Sequence, residues 1–180
     1  LLALGLSGAA NAGPFEDAMA ASNRGDHATA LRLWRPLADQ GHAGAQFHLG
    51  AMFANGRGVP QDDVQAVKWF RLAADQGLAS AQFSLGFGFA NGRGVPQDDV
   101  QAVKWYRLAA DQGRADAQII LGIMFDQGRG VPQDHVQAVK WYRLAADQGI
   151  ASAQYMLGFM FDKGQGVPQD DVQAGMWYRL

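Results

Sequence analysis

No cysteine occurs among the 180 residues, which removes disulfide staples, thiolate nucleophiles and cysteine-based metal sites together. Histidine is scarce: His27, His42, His48 and His135 are the whole set. No two of them stand three or four residues apart, the spacing that puts two ligands on one helix face, so no metal or other cofactor is expected. Charge is nearly balanced, 15 basic against 17 acidic residues for a net of −2, with both signs interspersed. Lacking a basic stripe to meet phosphate, the chain is not expected to bind nucleic acid. The serines form neither S-x-x-K nor G-x-S-x-G, so the acyl-transfer nucleophile signatures are missing. The apolar start Leu1–Ala9 falls short of the ~20 residues of a membrane span, and Ala10-Asn11-Ala12 after it has the small-x-small pattern of a cleavage site. Residues 1–12 are therefore expected to be the remnant of a signal peptide, on a secreted or periplasmic protein. An apolar helix lying on the first repeat is the alternative.

What the sequence has is repetition. Trp69, Trp105, Trp141 and Trp177 each stand 36 residues from the next, and self-similarity at a fixed period of this size marks a stack of supersecondary units. Within Asp98–Gly113, Asp98 can cap a helix starting near Asp99, with Gln101 at the partner position of a capping box. Ala102, Trp105, Tyr106, Ala109 and Ala110 then recur at helical spacing as one packing stripe, and Gly113 can end the helix in the left-handed conformation. Set among alanines, the tryptophans are expected in the core. An earlier helix in each unit carries Ala45, Leu49, Gly50 and Phe53 or their equivalents. Glycine in mid-helix costs about 1 kcal/mol against alanine, so its recurrence predicts close approach by an aromatic ring of the partner helix. The turn Gly56-Arg57-Gly58-Val59-Pro60 separates the two helices. The chain divides into a degenerate helix pair at 13–41, units at 42–77, 78–113 and 114–149, and a fourth at 150–180.

Ala115-Asp116-Ala117-Gln118 with Leu121-Gly122, then Gly128-Arg129-Gly130-Val131-Pro132-Gln133-Asp134, then Ala138 to Gly149 resemble the Sel-one-like repeat family, longer-looped relatives of the tetratricopeptide repeat. The resemblance covers about residues 38–180. It implies an all-α fold, a right-handed α-solenoid of antiparallel helix pairs whose concave face serves adaptor or regulatory proteins. Some cysteine-rich secreted relatives are linked to β-lactam binding or hydrolysis. This chain departs from them in having no cysteine, and that activity is not carried over.

Comparing the copies, the second helices are almost invariant, whereas the first helices differ along one stripe. The residues His48, Met52, Ser84, Phe87, Asp116, Ile120, Met124, Met156 and Met160 are the candidates for partner binding. They suggest a groove that grows more apolar toward the C-terminal copies and accepts a protein or peptide. Packing between successive repeats is the competing explanation of the same stripe. The function expected is a non-enzymatic adaptor or scaffold using the concave face formed by the first helices. A secreted enzyme acting on β-lactams or peptidoglycan, and a structural spacer in a longer chain, are the alternatives.

Overall fold

The structure, a computed structural model, describes residues 13–179, so the expected signal segment at 1–12 lies outside the described residues. Among those described there are ten helices and no strand. In chain order they are α1 (Pro14–Asn23), α2 (His27–Asp39), α3 (Ala43–Asn55), α4 (Asp63–Asp75), α5 (Ala79–Asn91), α6 (Asp99–Asp111), α7 (Ala115–Gln127), α8 (His135–Ala146), α9 (Ala151–Lys163) and α10 (Asp171–Trp177). Each packs on its neighbours in the chain. The result is an all-α solenoid of helix pairs.

The helix boundaries follow from local chemistry. Asp62, Asp98, Asp134 and Asp170 each accept a bond from the amide three residues on, at 2.9–3.0 Å, satisfying one of the orphan donors of a first turn. The reciprocal half of the expected capping box is not made. The cap amides of Asp62, Asp98, Asp134 and Asp170 donate instead to the carbonyls of Phe53, Phe89, Phe125 and Phe161, which ties the start of each second helix back to its own first helix. The first helices α3, α5, α7 and α9 end at Gly56, Gly92, Gly128 and Gly164, all left-handed with φ between 63° and 68°.

Inside each pair the mid-helix glycines have the role their recurrence predicts. A Cβ on Gly50 would sit 2.6 Å from the Phe70 ring, and one on Gly86 would sit 2.9 Å from that of Tyr106. Gly122 and Gly158 meet Tyr142 and Tyr178 in the same way. Burying such a ring is worth about 1.5–3 kcal/mol, which outweighs the roughly 1 kcal/mol lost by glycine in a helix. Tyr106 and Tyr142 are 2% and 1% exposed. The tryptophans were expected to fill this interior, and the structure corrects that. Trp69, Trp105 and Trp141 are only half-buried, and they lean on the preceding repeat. Trp105 packs against the cluster of Val67, Ala73, Ala74, Ala81 and Leu85. Arg35 lies over Trp69 at 5.5 Å and Arg71 over Trp105 at 6.0 Å.

Three polar devices fix one repeat on the next. Gln46, Gln82, Gln118 and Gln154 are buried, and each donates to the carbonyl of Ala38, Ala74, Ala110 or Ala146 at the end of the preceding second helix, at 3.1–3.4 Å. The first three also accept from Gln76, Gln112 and Gln148 of their own repeat at 2.7–2.8 Å, so these buried amides are satisfied rather than costly. The inter-helix turn rests on the start of the preceding second helix: Gly94, Gly130 and Gly166 abut the backbone carbonyls of Asp63, Asp99 and His135. Ion pairs reinforce the seat, Arg93–Asp63 and Arg129–Asp99 each at 2.9 Å. At the next joint both members change together, to His135 and Gln165. His135 turns to Asp126 instead, its Nδ1 lying 2.8 Å from a carboxylate oxygen.

Candidate binding site

The face that varies between copies belongs to α3, α5, α7 and α9, and the nine candidate residues divide into three groups on it. Met52, Met124 and Met160 are 4%, 2% and 1% exposed, so their expected place on an open stripe is corrected: they are interior. Seven residues of helix turn about 700°, only roughly 20° short of two full turns. Met52 therefore shares the inward direction of Ala45, which is fully buried.

Ile120 and Met156 are half-buried, Ile120 against the α6–α7 cluster and Met156 against the α8–α9 cluster. His48 is held in the N-terminal joint, its ring stacked on Trp34 at 4.4 Å and 6°, with Phe15 at 5.7 Å. These three follow the packing alternative. Burial pushes the His48 imidazole below its ordinary pKa of 6.5, so the folded chain holds it neutral where the unfolded chain would take a proton. Acid therefore favours unfolding, with stability falling as pH drops through about 6.5 and levelling off below the folded pKa. His48→Phe is expected to lose part of the midpoint drop seen in urea unfolding between about pH 7.5 and pH 5; an unchanged drop removes His48 as its source.

Asp116, Ser84 and Phe87 remain on the surface side. Asp116 is exposed and gripped by Arg114 at 2.7 Å, a side chain that also reaches Ser80 at 2.8 Å and lies over Phe83 at 4.6 Å. Ser84 and Phe87 come together with residues not singled out from the sequence, around a recess of about 210 Å³. Phe47, Val67 and Phe70 give it apolar walls, and Asn55, Asp63 and Arg93 stand in its lining. Phe87 is 41% exposed, with the Arg93 guanidinium 5.9 Å from its ring. Such a volume is below the ~300–1,000 Å³ usual for small-molecule sites and suits a single side chain. Its signal in the sequence is Gly88, standing where the other copies have Met52, Met124 and Met160.

Among the described residues, no group of three or more His, Asp or Glu side chains is placed to hold a metal ion, and no helix is long and apolar enough to cross a membrane. A stack of near-identical helix pairs joined by glutamine clamps and glycine-seated turns defines an α-solenoid repeat protein. The family model for the Sel1 repeat matches residues 23–42, 43–78, 79–113, 115–150 and 151–180, and the chain belongs to the Sel1 repeat family. The match begins earlier than the resemblance at 38–180 suggested, taking in α2.

Solved structures agree. The chain is similar to a protective antigen of uropathogenic Escherichia coli strains displaying an SLR fold, at 40% identity and TM-score 0.89 over 92% of this chain and 36% of that one. It thus spans about a third of that antigen's length. A Sel1 repeat protein from Oxalobacter formigenes is 32% identical with TM-score 0.88, over 92% of this chain and 68% of that one. Helicobacter pylori cysteine rich protein B, at 20% identity and TM-score 0.53 over 79% of this chain and 96% of that one, shares the fold alone. No curated protein sequence matches this chain.

Proposed function

We propose that the chain is a non-enzymatic adaptor that holds a protein or peptide partner along the face formed by α3, α5, α7 and α9. Sel1 repeat proteins are typically protein-interaction scaffolds. The observation that carries the reading is where the copies differ. Much of what seats one repeat on the next recurs from joint to joint, and the second helices vary least: KWYRLAADQG is unchanged at 104–113 and 140–149. On the first helices Ala51, Phe87, Ile123 and Phe159 share one register position, with Phe87 and Phe159 41% and 37% exposed. Such a non-repeating surface on a repeating frame suits a partner whose own sequence does not repeat. A secreted or periplasmic location is part of the proposal and rests on the segment Leu1–Ala12.

The test is selection of peptides from a displayed library, followed by affinity measurement on surface variants. Phe87→Asp and Phe159→Asp are expected to weaken binding roughly tenfold or more, as truncation of an aromatic anchor does. Leu108→Asp, on the 46% exposed side chain of a second helix, is expected to leave it unchanged. Loss confined to Leu108→Asp overturns the proposal.

A further inference from the structure

The recess beside α5 has a smaller counterpart, about 80 Å³, at the preceding joint, where His48 and Met52 stand at the register positions of Ser84 and Gly88. Met52, Met124 and Met160 bury their thioether side chains at the register position of Gly88. At the position of Ser84, the two following copies carry half-buried Ile120 and Met156. Two truncations at one place, methionine to glycine and a large apolar residue to serine, open the hollow among Phe47, Val67, Phe70 and Phe87. The hollow beside α5, about 210 Å³, is thus more than twice the size of its counterpart at the preceding joint, where a histidine and a methionine take the places of Ser84 and Gly88.

The lining also states what fits. Its two charged groups cancel: Arg93 holds Asp63 by two bonds, at 2.9 and 3.2 Å, so the site rewards neither a cation nor an anion. Asn55 and Ser84 add neutral hydrogen-bonding groups of the kind that meet a peptide backbone. The walls are aromatic and aliphatic, and the sister repeats show that an unbranched thioether lies in this setting nearly free of solvent.

We infer that the recess is a socket for one neutral, flexible apolar side chain, methionine or leucine, carried by an extended segment of the partner peptide. The partner supplies in trans the side chain that the other repeats supply themselves. This rests on the adaptor reading and names its anchoring point.

Gly88→Met tests it by restoring the residue of the sister copies. A Cβ at Gly88 has Val67 Cγ2 and the Arg93 carbonyl as its nearest neighbours, each at 3.3 Å, and the methionine copies tolerate the equivalent surroundings. Ser84→Ile, which copies Ile120 of the next repeat, fills the same space from the other side and replaces Gly88→Met should that variant fail to fold by circular dichroism. Two probes are used on the intact chain: a displayed peptide library, and N-acetyl-methionine methylamide followed by methyl NMR of Val67, with the capped lysine as control. The expected result is enrichment of peptides with a methionine or leucine anchor, their affinity falling at least about tenfold in the filled variant. Capped methionine, and not capped lysine, is expected to shift the Val67 signals of the parent only. Peptides that bind parent and filled variant equally overturn the socket and leave the adaptor reading intact. Capped methionine binding with no peptide enriched overturns the peptide occupant together with the adaptor reading and leaves only the recess's fit to a thioether. Neither probe binding overturns both. A dimer of the parent that dissociates in Gly88→Met by sedimentation overturns the peptide occupant in favour of a second copy.

Discussion

Tyr106→Ala is expected to destabilise the array by about 3–5 kcal/mol, the range for deleting a buried aromatic. The ring is 2% exposed and lies against Gly86. Gly86 has no side chain to move into the space, and the neighbouring Leu85 and Ala102, both fully buried, are fixed by their own packing. The cavity therefore persists, and a persistent cavity is what places a substitution at the upper end of the range. Trp105→Ala removes a larger side chain but is expected to cost less, about 1–2 kcal/mol, because its half-buried indole gives up only part of its area from water. Urea unfolding of the two variants beside the parent checks the order. Equal midpoints, or a lower one for Trp105→Ala, contradict the assignment of Tyr106 to the interior of the pair and Trp105 to the joint.

That ordering is also where reading the sequence reaches its limit. Caps, stops and pairing were legible because each depends on a few adjacent residues: Asp98 with the amide of Gln101, Gly92 at the end of α5, Gly86 against Tyr106. The division of labour between Trp105 and Tyr106 was not. A helix inside a stack has two neighbours, its own partner and the previous repeat, so its apolar stripe is wide, and both residues fall within it. Periodicity reports the stripe and not which neighbour each side chain meets. The candidate site shows the same limit from the other side. The variable stripe at His48, Ser84, Ile120 and Met156 was legible, but Met52, Met124 and Met160, merged with it, turn inward. The recess itself is visible only as a substitution pattern, a glycine among methionines, whose meaning depends on knowing that those methionines are core.

Gly130→Ala is expected to cost about 2–5 kcal/mol, against about 1–2 kcal/mol for Gly128→Ala two residues earlier in the same turn. Both glycines are left-handed, with φ of 69° and 68°, so both variants bear the roughly 1–2 kcal/mol that a Cβ costs in that region. Their surroundings separate them. A Cβ on Gly128 meets the Cβ and the backbone nitrogen of Gln133, each at 3.2 Å, within the same turn, and a small local shift relieves it. A Cβ on Gly130 would overlap the carbonyl of Asp99 in the preceding repeat, and backbone inside a capped helix cannot step aside. Relief requires the turn to lift from α6, at about 1–3 kcal/mol for overpacking. Lifting also parts Arg129 from Asp99, now 2.9 Å apart, although that exposed pair adds under about 1 kcal/mol. Because stability in a stack is the sum of repeat and interface contributions, a weakened interface uncouples the units on either side. Gly130→Ala is therefore expected to lower both the midpoint and the steepness of urea unfolding, whereas Gly128→Ala lowers the midpoint alone. The same midpoint and slope in the two variants would show that the turn does not bear on α6, and the seat of each repeat on its predecessor would have to be sought in the glutamine clamps by themselves.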